Sequence, residues 1–284
     1  MFDLILNLAK QNVLIRAVYM NGSRVNPNIQ KDIWQDYDIV YVVHHIAPFV
    51  SDQQWLQYFG DLVIMQQPDD PTLFDDVRPL DEQYAFLMQF TDGTRIDLTL
   101  QTIEYTKHHF LSDTLTLPLL DKDHILPDIA PPSDKGYWVK KPSSKEFLGT
   151  CNEFWWVSTY VAKALARNDV LSALQYLNDP IRAMLIRVLN WFVGIDTCFS
   201  VNLGKNAQNL QYYLPNETWQ RLLKTYPKAT IEAIWQALFE TCSLFHTVAQ
   251  DIAIKLQELY DLEESNRTFL FLQQIKNLHF VSTT

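Results

Sequence analysis

Asp36 and Asp38 stand two residues apart in Gln35-Asp36-Tyr37-Asp38-Ile39-Val40-Tyr41, a segment whose aromatic and β-branched residues favour a strand. Side chains two apart on a strand share a face, so both carboxylates point one way while Tyr37 and Ile39 pack on the other. Two such charges about 6 Å apart repel by roughly 3 kcal/mol at an effective dielectric of about 20, and the pair therefore calls for a cation. Carboxylate oxygens with open positions suit Mg²⁺ (or Mn²⁺), which keeps its waters and shares substrate phosphates, so a magnesium-bound nucleotide fits. A third carboxylate is expected from Thr94-Arg95-Ile96-Asp97-Leu98-Thr99-Leu100, where alternation puts Arg95, Asp97 and Thr99 on one face. With Asp36 and Asp38, Asp97 has the chemistry to hold two metal ions about 3.5 to 4 Å apart, one activating an attacking hydroxyl and one bridging phosphate oxygens. It has equally the chemistry of a general base for that hydroxyl, and the sequence leaves both roles open.

These residues need a sheet. The run Val13 to Met20 (VLIRAVYM) is apolar and short enough for a buried strand, and it stops at Asn21-Gly22-Ser23-Arg24, where glycine lets the backbone turn and a phosphate approach. Tyr84 to Phe90 (YAFLMQF) joins the Asp97 strand through Thr91-Asp92-Gly93, a hairpin signal. From Leu126-Pro127 to Lys141-Pro142 prolines and glycine break any regular element, which marks a connector. Ser143-Ser144-Lys145-Glu146 then carries the spacing of a capping box. Helical spacing of apolar residues follows in Phe147 to Ala166, Val170 to Val193, Thr218 to Lys224 and Thr230 to Tyr260. The expectation is an α+β protein: a nucleotidyltransferase-like mixed sheet with flanking helices over residues 1–135, followed by an all-helical bundle over 136–284.

The chain of 284 residues is 48% hydrophobic and 20% charged, with 8 Trp, 13 Tyr and 16 Phe, which excludes a disordered or low-complexity protein. No stretch approaches the roughly 18 apolar residues of a membrane span. Asp3, Lys10 and Arg16 interrupt any signal-peptide run, so a cytoplasmic location is expected. Cys151, Cys198 and Cys242 are odd in number and widely spaced, and read as reduced core thiols. His44-His45 and His108-His109 lack metal-ligand spacing. A net charge of −10 argues against nucleic acid and for a cationic partner, whose encounter an acidic field speeds. Asp69, Asp70, Asp75, Asp76, Asp81 and Glu82 are candidates for an acidic rim.

Asn21 to Tyr41 (NGSRVNPNIQKDIWQDYDIVY) resembles the signature of the aminoglycoside 6-adenylyltransferases, enzymes of the nucleotidyltransferase superfamily that transfer AMP from ATP to a hydroxyl of streptomycin. FGDLVIMQ (59–66), LMQFTDGTRIDLTL (87–100), LLDKD (119–123), NEFWWVSTYVAKALA (152–166) and LGKN (203–206) resemble further blocks of that family, so the likeness covers most of the chain. It weakens between about Asn168 and Asn202 and beyond Tyr226. The resemblance implies an antibiotic-inactivating transferase acting with MgATP on streptomycin and releasing pyrophosphate. Gly22 and Ser23 would hold the β and γ phosphates with help from Arg24, while Asp36, Asp38 and Asp97 would hold metal or act on the acceptor hydroxyl.

The helical region is expected to wall the acceptor pocket. Lys205, after Gly204 at a helix start, and Lys163 are candidate phosphate cations. Glu153 is a candidate partner for a cationic group, and Trp155, Trp156 and Tyr160 read first as core. Two other functions stay open: transfer to a protein side chain or another metabolite, and a non-catalytic antitoxin-type partner. Arg followed by His at the spacing of helical ribonucleases does not occur between Phe147 and Thr284, which weakens the last. A monomer or weak homodimer, with no membrane partner, is expected.

Overall fold

The computed structural model describes residues 1–75 and 78–282. Two compact units divide the chain, Met1–Gly136 and Tyr137–Thr284. The first runs α1 (Phe2–Gln11), β1 (Ile15–Asn21), β2 (Tyr37–Val43), α2 (Ala47–Ser51), β3 (Leu62–Gln66), β4 (Gln83–Phe90), β5 (Arg95–Thr102), α3 (Ile103–His109) and β6 (Thr116–Asp121). Its six-stranded sheet has the order β3-β4-β5-β2-β1-β6. The β2/β5 pair is parallel and the other neighbours are antiparallel, so the sheet is mixed.

Alternation sorts the side chains into two faces. Ile39, Tyr41, Phe86, Ile96 and Leu98 are buried on one face with Ile5 of α1, and the Tyr41 hydroxyl donates to the Ile5 carbonyl at 2.7 Å. On the other, Ala17, Tyr19, Val40 and Val42 pack with Phe110. One step further along β1, β2 and β5 this second face turns polar, at Asn21, Asp38 and Asp97. The apolar cluster thus anchors the strands whose ends carry the charges.

The second unit holds α4 (Ser144–Ala166), α5 (Val170–Tyr176), α6 (Arg182–Asp196), α7 (Leu210–Tyr213), α8 (Asn216–Lys224), α9 (Ile231–Leu256) and α10 (Leu262–Ser282). The capping box forms at the start of α4: the Ser143 hydroxyl accepts from the Glu146 N–H at 3.2 Å, and the Ser143 N–H donates to the Glu146 carboxylate at 2.8 Å. Phe154 of α4 stacks on Phe245 of α9 at 3.6 Å between ring centroids, in a core that includes Trp155, Leu185 and Trp235.

Several expectations need correction. The continuous helix from Val170 to Val193 is broken by a π turn at Leu177–Ile181 that contains Pro180, because proline has no N–H to donate and its ring crowds the preceding turn. The helix expected to reach Tyr260 stops at Leu256, where Gln257 is left-handed at φ 58°. Helices α1 and α10 were not expected. In α10 the apolar residues are spread around the helix with no clean stripe, and Leu272 is the one its described residues bury completely. Cys198 is exposed at a left-handed position, unlike the buried Cys151 and Cys242. Trp156 is 59% exposed, next to a buried Trp155.

Candidate active site

Strand β1 hands the chain to Gly22 at φ +75°, ψ −152°, a conformation that glycine alone adopts at little cost. A Cβ there would lie 2.2 Å from Oδ2 of Asp38, so this glycine is also what lets the turn lie against the carboxylate. The Gly22 N–H donates to the Leu115 carbonyl at 3.2 Å, and Ser23–Val25 form a short 3-10 turn.

Two basic residues fasten this turn from behind. Lys31 Nζ donates to the carbonyls of Ser23 at 3.3 Å and Asn26 at 2.9 Å, and also to that of Arg24. Arg24 lies over the Tyr37 ring, 3.6 Å from its centroid, and donates to the carbonyls of Gln35 at 2.6 Å and Asp36 at 3.1 Å. Those contacts tie the turn to the acidic segment.

Strand register sets the carboxylates. Asp38 on β2 is the partner of Asn21 on β1 and of Asp97 on β5. Asp36 precedes β2, which begins at Tyr37, so the two aspartates flank the strand's first residue rather than both lying within it. Burial, then the like charges of Asp97 and Asp36, push the Asp38 carboxyl up to about 6, with Arg95 opposing the shift. Arg95 grips Asp97 with both ends of its fork, Nε and Nη2 each at 2.7 Å, and its Nε stands 3.6 Å from Asp36. Its guanidinium occupies the place between carboxylates where a metal cation is expected.

Among the described residues no three His, Cys, Asp or Glu side chains stand together as a ready metal cluster. The donor set nonetheless fits a hard divalent ion, since it is all carboxylate oxygen and the strain on Asp38 is the strain a cation relieves. Asp36 and Asp38 would hold such an ion, and Asp97 would join them once Arg95 releases it.

Sequence reading named Arg95 as sharing a face with Asp97 but gave it no role, and it passed over Lys31. The signals were present: opposite charges at alternate strand positions, and the one lysine between Lys10 and Lys107. Asp69 does not belong to an acidic rim; it is buried and accepts from the Ala85 N–H at 2.9 Å. Asp76 lies outside the described residues.

The helical unit has a cavity of its own, about 950 Å³, whose charged lining includes Lys140, Lys141, Lys145, Arg187, Glu146 and Glu153. Asn190 also lines it, with a buried side-chain oxygen that has no hydrogen-bond partner. Gly204 borders the cavity, while Lys205 is exposed at the head of the short turn Lys205–Ala207. Lys163 is exposed on α4.

Parallel strands bearing Asp38 and Asp97, with a glycine-serine turn packed against Asp38, form the kind of site that a nucleotidyltransferase uses on a metal-bound triphosphate. The chain belongs to the streptomycin adenylyltransferase family, whose model matches residues 1–275. An aminoglycoside 6-adenylyltransferase of Campylobacter jejuni is 38% identical over 275 residues, 97% of this chain and 94% of that protein. One from Bacillus subtilis (strain 168) is 38% identical over 261 residues, 92% of this chain and 91% of that protein. A crystal structure of an aminoglycoside 6-adenyltransferase from Bacillus subtilis shares 33% identity, covers 97% of each chain and gives a TM-score of 0.49. No helix among the described residues is long and apolar enough to cross a membrane.

Proposed function

We propose that this enzyme transfers AMP from MgATP to a hydroxyl of streptomycin and releases pyrophosphate, inactivating the antibiotic. The observation that carries the reading is the register that sets Asp38 beside Asp97 with Gly22 against Asp38, inside a chain of this family. The first unit is the nucleotidyltransferase domain and the helical unit contributes substrate-binding groups.

Gly22 and Ser23 receive the β and γ phosphates at the turn, where the absence of a side chain at Gly22 lets an anion approach the backbone. Arg24 and Lys31 keep that turn and the Asp36–Asp38 segment in one piece. Bound Mg²⁺ neutralises the triphosphate and polarises the reacting phosphate. Asp36 and Asp38 would hold the metal. Asp97 either joins them or takes the hydroxyl proton, and both roles require Arg95 to swing away from it.

ATP labelled at the α or the γ phosphate separates this reaction from its alternatives. The α label is expected on the acceptor and the γ label in pyrophosphate, only with Mg²⁺ or Mn²⁺ present. Transfer of the γ label, or full turnover after exhaustive chelation, would contradict the proposal. Transfer of the α label to a protein or metabolite but to no aminoglycoside would favour the other-acceptor reading.

A further inference from the structure

The carboxylates are the middle of a longer row. Pairing across the sheet sets Thr116, Asn21, Asp38, Asp97, Leu87 and Gln66 side by side, from β6 to β3. A parallel row sets Ile64 beside Gln89 and Gln89 beside Arg95. Paired residues share a face, so Leu87, Gln66, Ile64 and Gln89 lie on the face that carries Asp38 and Asp97. There they line a groove of about 510 Å³ together with Arg95.

The groove is built unlike a solvated sheet surface. Leu87 places an aliphatic side chain directly next to Asp97, and Ile64, on the edge strand, is 67% exposed. Gln89 gives its Nε2 to the carbonyls of Thr94 at 3.0 Å and Phe90 at 3.4 Å, which leaves its amide oxygen to accept from a ligand. An apolar floor with a fixed amide acceptor, next to the Asp97 carboxylate that pairs with Leu87 across the strands, suits a polyhydroxylated ring that lays its C–H face on Leu87 and Ile64 and donates to Gln89. It suits a polyphosphate poorly.

Direction gives the same answer. In displacement at phosphorus the attacking and leaving oxygens lie on opposite sides. With the leaving phosphates at the Gly22 turn, on the β1 side of the carboxylates, the attacking hydroxyl must arrive from the β4–β3 side, where the groove is. The cavity of the helical unit is a weaker match for a polycation, because four cations, Lys140, Lys141, Lys145 and Arg187, line it against the two carboxylates Glu146 and Glu153, whereas the groove's lining holds one cation, Arg95, already paired with Asp97.

We infer that the β3–β4–β5 groove is the acceptor subsite, holding the ring that bears the reactive hydroxyl, with Ile64, Leu87 and Gln89 as its specificity-determining residues. This rests on the proposed aminoglycoside adenylylation. The test places opposite charges at one exposed position, Ile64→Lys and Ile64→Glu, and measures KM separately for streptomycin and ATP. A lysine beside a bound polycation should raise the streptomycin KM by ~5-fold or more at low salt, while glutamate leaves it equal or lowers it. The ATP KM should stay within about 2-fold in both variants, which reports an intact fold and nucleotide site. An unchanged streptomycin KM in both, or an equal rise in both, would overturn the subsite while leaving the function standing. A wild-type enzyme that transfers AMP to no aminoglycoside would overturn the function, and the subsite with it.

Discussion

Replacing Asp38 by Asn should abolish activity and, in metal-free buffer at neutral pH, make the protein more stable. Asp38 is mostly buried and faces Asp97 and Asp36, and burial and those like charges push its carboxyl from the usual carboxylate range up to about 6. The folded state therefore holds its proton more tightly than the unfolded state does, and stability contributed by this group falls as pH rises from about 4 to about 6. That rise of the Asp38 carboxyl corresponds to an upper bound of about 3 kcal/mol of destabilisation at pH 7.5, roughly half as much at pH 5 and little at pH 4. Asparagine keeps the shape and removes the charge, so it should recover most of that amount, a rise of several °C in the melting temperature of the first unit. Thermal melts in chelator at pH 7.5, 5 and 4 measure it: the advantage of Asp38→Asn should shrink at each step down in pH. Added Mg²⁺ should stabilise the wild type and not the variant. A variant less stable than wild type at pH 7.5, or an advantage that does not depend on pH, would refute the reasoning that buried like charges strain this site.

Two further substitutions address the turn. Gly22→Ala forces a side chain into a backbone conformation costing about 1–3 kcal/mol and onto the Asp38 carboxylate, so turnover should fall at least ~100-fold with a lowered melting temperature; near-normal kinetics would show that the turn does not seat the phosphates. Lys31→Met leaves the carbonyls of Ser23, Arg24 and Asn26 without their shared donor. Its ATP KM should rise by ~5-fold or more while the streptomycin KM stays put, and steady-state kinetics with each substrate varied in turn would expose the opposite pattern.

Much of the sheet was legible because its signals are local. Alternation placed Arg95, Asp97 and Thr99 on one face, Asp92-Gly93 marked the β4–β5 hairpin, and Asn21-Gly22 marked the end of β1. The capping box located the start of α4 to the residue. What escaped were features that exist only once strands pair. The parallel β2/β5 register has no local signature, so the alternate spacing that pairs Arg95 with Asp97 could not show that the same guanidinium also reaches Asp36 across the sheet. The burial of Asp69 was hidden for the same reason, since its partner is the Ala85 N–H across the fold. In the helical unit, Pro180 sits where a single helix was expected, and its consequence depends on packing that absorbs a π turn. Arg182, which follows it, is buried against Thr225, donating to its hydroxyl at 2.6 Å and its carbonyl at 2.8 Å, and lies over the Tyr226 ring. No periodicity foretells such a contact.

Mass spectrometry of the products formed from ATP, Mg²⁺ and either streptomycin or kanamycin tests the central claim most directly. The account predicts one adenylyl group on streptomycin, none on kanamycin, and neither product with Asp38→Asn, because a pocket with hydrogen-bond partners for one ring system leaves them unpaired with another and rejects it. An adenylyl group on kanamycin but not on streptomycin, or on neither, would contradict it.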